Sequence, residues 1–114
     1  MEIKIVTEAI SREELATLAR EWYGDMVKGV VDIEREILAL GGEYHMDANM
    51  CLTENGSKQD TVWGFNIHLN RPRAEWIEFT SLINIRPAQN NRGMLVESPE
   101  LQEKIRMIIN KRIL

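Results

Sequence analysis

The middle of the chain alternates between apolar and polar residues with a period of two, and this pattern constrains the fold more than any other feature. It runs through residues 43–53, 62–70 and 77–86. Successive side chains of a β-strand point to opposite faces, so each segment predicts a strand with one apolar face and one polar face. Because short loops join the three segments, they predict an antiparallel meander with one face against a core.

Apolar residues at helical spacing flank this meander on both sides. Ser11 and Glu14 have the spacing of a capping box, which predicts the start of a first helix. A second helix is predicted over residues 25–40, because the apolar residues there form a broad arc and a glycine pair follows. Ser98-Pro99 predicts the start of the last helix. Residues 1–7 alternate and predict a first strand.

The predicted element order is therefore β-α-α-β-β-β-α. This order is typical of an α+β fold with two layers, in which an antiparallel sheet is covered on one face by helices. We expect residues 1–114 to form a single domain, because a chain of this length builds one core. The other sheet face is expected to be solvated or covered by a second copy, which predicts a homodimer through the open sheet face.

Composition and motifs exclude several classes of protein. The chain has 14 Lys and Arg against 18 Asp and Glu, a net charge of -4, which gives no general attraction to nucleic acid. No apolar stretch approaches the roughly 20 residues of a membrane span, and no secretory signal is visible at the N-terminus. Zinc-finger spacings and glycine-rich nucleotide motifs are missing from the sequence. We therefore expect a cytoplasmic protein that needs no cofactor and contacts neither nucleic acid nor membrane.

Glu34 is the most anomalous residue of the predicted second helix. At about 100° per residue it falls inside the apolar arc of that helix. A carboxylate there has to be paired, protonated or displaced to the rim. Glu34 is therefore a candidate general base or metal ligand. The alternative is a rim residue whose head group reaches water.

The polar face of the predicted sheet holds a second candidate site. We assume a register that places Leu69 opposite Ile77, which keeps the apolar residues in line. Asp47, His68 and Glu78 then fall in one row across the strands, where neighbouring side chains are in contact. One histidine between two carboxylates is typical of an acid–base pair or a divalent-metal site. The candidate metal ligands are His45, Asp47, His68 and Glu78. The alternative is a solvated face with ordinary hydrogen bonds.

The loop of residues 86–93 is rich in hydrogen-bond donors. Arg86, Asn91 and Arg92 are therefore candidates for holding an anion. The alternative is a polar turn that pairs with nearby acidic residues.

Three runs of sequence are distinctive: residues 22–28 (WYGDMVK), 63–67 (WGFNI) and 80–87 (TSLINIRP). Together they resemble a family of small bacterial proteins known only as a domain of unknown function. The resemblance spans nearly the whole chain and implies a soluble, bacterial, single-domain protein. It implies no activity, catalytic residue or cofactor.

Two hypotheses for the function follow from the sequence. The first is a non-enzymatic cytoplasmic protein-interaction module, acting as a homodimer. The alternative is a small hydrolase, or a ligand- or metal-binding protein, that uses the polar sheet face. The two differ in an observable feature, because a binding or catalytic site needs polar residues that converge on a concave pocket.

Overall fold

The computed structural model describes residues 2–114, and its centre is a five-stranded antiparallel sheet. The strands are β1 (Lys4–Val6), β2 (Met26–Asp32), β3 (Ile37–Leu40), β4 (Val62–His68) and β5 (Ile77–Glu78). Their order across the sheet is β1-β3-β2-β4-β5. The α-helices are α1 (Arg12–Trp22), α2 (His45–Glu54) and α3 (Pro99–Arg112).

The predicted α+β class and antiparallel sheet are confirmed, whereas the predicted element order is wrong in two places. The observed order of helices and strands is β-α-β-β-α-β-β-α. Residues 25–40 form the hairpin of β2 and β3 instead of a helix. Residues 45–54 form α2 instead of a strand.

The hairpin was missed because its strands lie inside the sheet and are buried on both faces. Val30 and Val31 are adjacent in β2, point to opposite faces, and are both fully buried. A strand of this kind has a continuous apolar run, which periodicity cannot distinguish from a buried helix. Asp32 closes the hairpin turn, because its Oδ1 accepts hydrogen bonds from the backbone N–H groups of Glu34 and Arg35, at 2.9 and 3.1 Å.

Helix α2 was missed because its sequence satisfies two periods at once. Its buried residues follow helical spacing: His45, Ala48, Asn49 and Leu52. The same stretch also alternates between polar and apolar types, which is the pattern of an amphipathic strand. The observed contacts of α2 with β2 and β3 show that burial of the helical face decides between the two.

Helices cover both faces of the sheet, so the prediction of two layers with helices on one face is wrong. Leu15 of α1 and Ile105 of α3 belong to one core, together with Phe65 of β4. Leu52 of α2 belongs to a second, smaller core with Val30 on the opposite face. The face predicted to be open is therefore partly covered by α2.

The predicted third strand is only two residues long, because the chain leaves the sheet after Glu78. Leu82–Asn84 form a short 3₁₀ turn that lies beside β4. The fully buried Asn84 accepts from Gly64 N–H at 2.8 Å and donates to the Gly64 carbonyl at 3.0 Å. One side-chain amide thus replaces the missing neighbouring strand at this position.

We predict that Asn84→Asp lowers the free energy of unfolding by about 3 kcal/mol or more. The carboxylate lacks the N–H groups that Asn84 donates to the carbonyls of Gly64 and Met94. It would also place a charge in a fully buried position. Urea unfolding measures the change. The matched control is Asn90→Asp at an exposed turn position, and equal losses in the two variants would contradict the prediction.

Candidate functional site

A cleft of about 480 Å³ opens on the α2 face of the sheet. It lies between the first turn of α2 and the segment of residues 80–83. Its walls are mainly apolar and are formed by Tyr44, Met46, Leu82, Ile83 and Met94. Its floor is polar and is formed by Lys28, His45 and Asn66. Polar side chains therefore converge on a concave surface rather than lying on a flat one.

Two of the floor residues, Lys28 and Asn66, belong to a row of polar side chains that crosses three strands. Lys28 of β2 is opposite Asn66 of β4, which is opposite Glu78 of β5. The amide nitrogen of Asn66 donates to Glu78 Oε1 at 2.8 Å. Asn66 is almost fully buried, so this hydrogen bond fixes the side chain between the two charged residues.

Glu78 also contacts His68, which is the part of the predicted row that the structure brings together. His68 Nε2 lies 3.0 Å from Glu78 Oε1. Hydrogen bonds from Asn66 and His68 hold the pKa of Glu78 below its usual value. The assumed register is wrong by two residues, since Ile67 rather than Leu69 is opposite Ile77. His68 therefore reaches Glu78 diagonally.

Asp47 does not join His68 and Glu78. It is exposed in the first turn of α2, where its Oδ2 accepts from the backbone N–H of Tyr44 at 3.2 Å. Within residues 2–114, no group of three or more His, Cys, Asp or Glu side chains is placed to hold a metal ion. The four predicted metal ligands are thus not brought into one centre.

His45 is the first residue of α2, and its ring is part of the cleft floor. Its Nε2 lies 2.8 Å from the carbonyl oxygen of Phe65. Because a carbonyl only accepts, Nε2 carries the hydrogen in this bond. Burial lowers the pKa of His45 below 6.5; the bond to Phe65 opposes this shift, and the charge of Lys28 adds to it. His45 is therefore neutral at neutral pH.

Of the predicted candidate residues only His45 lines the cleft, and Lys28 is the charged lining residue that the sequence analysis missed. Its Nζ lies 5.2 Å from the ring centroid of Tyr23 and 5.8 Å from that of Tyr44, which is a cation–π arrangement with two rings. The Tyr23 hydroxyl donates to the carbonyl of Glu43, and this bond links the α1–β2 connection to the β3–α2 connection. In a helix over residues 25–40, Lys28 would lie outside the apolar arc, so the predicted helix gave no reason to expect it in a site. The only signal for it was its place in the distinctive run of residues 22–28.

Glu34 lies in the turn between β2 and β3 and is exposed. The inference that it sits among apolar residues depended on the predicted helix and is wrong. Its backbone N–H donates to Asp32. Glu34 does not line the cleft.

In the loop of residues 86–93, which was predicted to hold an anion, many hydrogen-bond donors bind acceptors of the protein itself. The guanidinium of Arg86 stacks on Trp63 at 4.5 Å and donates to the carbonyl of Val62. Burial lowers the pKa of Arg86. The buried amide nitrogen of Asn91 donates to three backbone carbonyls. The backbone N–H of Arg92 donates to Glu97.

Residues 4–112 match the family described as "Protein of unknown function (DUF5674)", and the chain belongs to this family. The predicted resemblance to a family of unknown function is confirmed. No curated protein and no solved structure matches the chain. Each of the three distinctive runs supplies a cleft residue: Lys28, Asn66 and Leu82. None of the helices in residues 2–114 has the length and apolar character needed to cross a membrane.

We predict that the protein loses stability as the pH falls from about 7 to 5, and that His45→Gln removes most of this loss. The unfolded chain binds a proton at His45 near pH 6.5, whereas the folded chain binds it only at lower pH. The contribution of neutral His45 to the free energy of unfolding is therefore present above about pH 6.5 and declines below it. Urea unfolding at several pH values measures the slope.

The matched control is Glu78→Gln. Glu78 has a lowered pKa, so its contribution is lost only below about pH 4.5. The Glu78→Gln variant should keep the wild-type slope between about pH 7 and 5. An unchanged slope in His45→Gln would show that another group is responsible.

Proposed function

Because membership of a family of unknown function carries over no activity, we propose from the geometry that the chain is a non-enzymatic binding protein. Its cleft holds a small ligand with an apolar body. The observation that carries the proposal is the concave shape, with apolar walls and a polar floor. Small-ligand sites usually combine these features, and the cleft volume lies within their usual range of about 300–1,000 Å³.

Binding has more support than hydrolysis, because the His68–Glu78 pair lies outside the cleft and the Ser81 hydroxyl, one of three in the lining with Tyr44 and Thr80, stabilises a turn. Ser81 Oγ accepts from the backbone N–H of Ile83 at 3.2 Å and so stabilises the turn. His68 and Glu78 form a pair, but neither lines the cleft. Burial raises the pKa of Cys51, which favours the unreactive thiol.

The methionines of the chain offer a direct test of this proposal. Met46 and Met94 line the cleft, whereas Met107 is exposed on α3, on the opposite face of the sheet. We expect octan-1-ol, an uncharged apolar probe, to shift the methyl signals of Met46 and Met94 saturably. Titration of protein carrying ¹³C-methyl methionine, followed by NMR, measures this. The signals are assigned with Met46→Leu and Met94→Leu.

Met107 serves as the internal control, since it is as accessible to a non-specific apolar probe as the cleft methionines. Its signal should move little over the same range. A shift of Met107 as large as those of Met46 and Met94, or no saturable shift at all, would remove the proposal.

A second candidate function is association with a second copy through the rim of the cleft. The observation that favours it is exposed apolar surface, because Leu82 is 72% exposed and Ile85 is 43% exposed beside it. Both residues border a neighbouring groove that shares Met46 and Ile83 with the cleft. Continuous apolar surface of this kind is typical of protein contacts.

If this candidate is correct, the wild type sediments as a dimer at about 100 μM and Leu82→Glu sediments as a monomer. A charge in the centre of such an interface is desolvated without a partner, which opposes association. Sedimentation velocity measures both. Met107→Glu, an equally exposed site on α3, should leave the dimer intact. A monomeric wild type removes the homodimer and leaves the ligand proposal in place.

We also propose a bacterial cytoplasmic setting. The chain has one cysteine, Cys51, and so lacks the internal disulfides that many small secreted domains use. The bacterial part is supported by the family resemblance.

A further inference from the structure

We propose that Lys28 makes the cleft selective for amphipathic monoanions, with a carboxylate as the preferred head group. This inference rests on the proposed function, because it identifies the class of ligand that the same cleft would bind. The head group would accept hydrogen bonds from the Lys28 ammonium, and the apolar body would lie between Met46 and Leu82.

Among residues 2–114, Lys28 has no acidic partner. None of the salt bridges within residues 2–114 involves Lys28. By contrast, Lys104 and Lys111 both pair with Glu36. The rings of Tyr23 and Tyr44 hold the Lys28 ammonium but accept no conventional hydrogen bond from it. Its N–H donors therefore remain available to a ligand in the cleft.

Two carboxylates that belong to the elements around the cleft, Glu78 and Asp47, are engaged by other partners. Glu78 lies in the same row but two strands away, at about 10 Å from strand spacing alone. Its Oε1 accepts from both Asn66 and His68. Asp47 accepts from the backbone of Tyr44 at the start of α2. Neither carboxylate neutralises Lys28.

The described cleft lining carries one positive charge. Lys28 is the charged residue among the described lining residues. His45 is held neutral by burial, because its pKa is lowered. A lining with one positive charge complements one negative charge, which favours a carboxylate over a doubly charged phosphate monoester.

The cleft walls can adapt to apolar groups of different shape. Met46 and Met94 have flexible side chains that adapt to differently shaped apolar groups. A volume of about 480 Å³ corresponds to roughly 16 water-sized groups at about 30 Å³ each. A medium-chain alkyl carboxylate or an aryl carboxylate is therefore of suitable size.

The test compares two probes of nearly equal size, octanoate and octan-1-ol. Both are titrated into protein carrying ¹³C-methyl methionine, and the shifts of Met46 and Met94 give the Kd values. We expect the Kd for octanoate to be roughly ten- to a hundredfold lower, as for a hydrogen bond to a charged group.

Three variants separate the charge of Lys28 from its packing. Lys28→Met keeps an apolar stem and should bind both probes equally. Lys28→Arg keeps the charge and should retain most of the preference for octanoate. Lys104→Met removes an exposed charge from α3 and should behave as the wild type. The dispersion of the methyl signals shows that each variant is folded.

The outcomes distinguish the inference from the proposed function. Saturable but equal binding of both probes to the wild type would overturn the role of Lys28 and leave the binding cleft intact. A preference that persists in Lys28→Met, or that is lost as fully in Lys28→Arg, would also overturn it. Failure of both probes to bind the wild type would overturn the proposed function and this inference together.

Discussion

The pairing of the Asn84 side chain with the backbone of Gly64 is the interaction on which the rest of the site depends. β4 has β5 beside it over two residues only, so the peptide groups of Gly64 need another partner. Asn84 supplies both a donor and an acceptor. Gly64 permits the close approach, because a Cβ there would lie 2.6 Å from Cβ of Ser81. The turn thus lies directly on the sheet and presents Leu82 and Ile83 as a wall of the cleft.

The elements that the sequence predicted well are those with a regular apolar pattern and clear ends. α1 and α3 have serine caps that accept from Glu14 and Leu101 backbone N–H groups, and β4 alternates against the main core. The β2–β3 hairpin could not be distinguished from a helix, because burial on both faces removes the alternation that identifies a strand. The sequence of α2 fits both a helix and a strand. The outcome depends on the sheet against which this segment packs, and the local sequence does not encode that contact.

Of the predicted site residues, His45 lines the cleft, whereas His68 and Glu78 form a pair outside it. His68 and Glu78 were placed together because both lie on polar strand faces, and they meet in spite of a register that differs by two residues. Lys28 was not predictable, since it lies opposite Asn66 only when residues 26–32 form β2 beside β4. Asn84 has no local pattern, because its partner Gly64 is twenty residues away.

The shortness of the two outer strands has a consequence for self-association. β1 has three residues and β5 has two, and Asn84 occupies backbone groups of β4 beyond β5. Long unpaired edges are the usual templates for adding strands from other chains, which leads to fibrous aggregates. The edges of this sheet offer few unpaired backbone N–H and C=O groups, so few backbone hydrogen bonds to another chain can form. Contacts with other molecules must then be made through side chains.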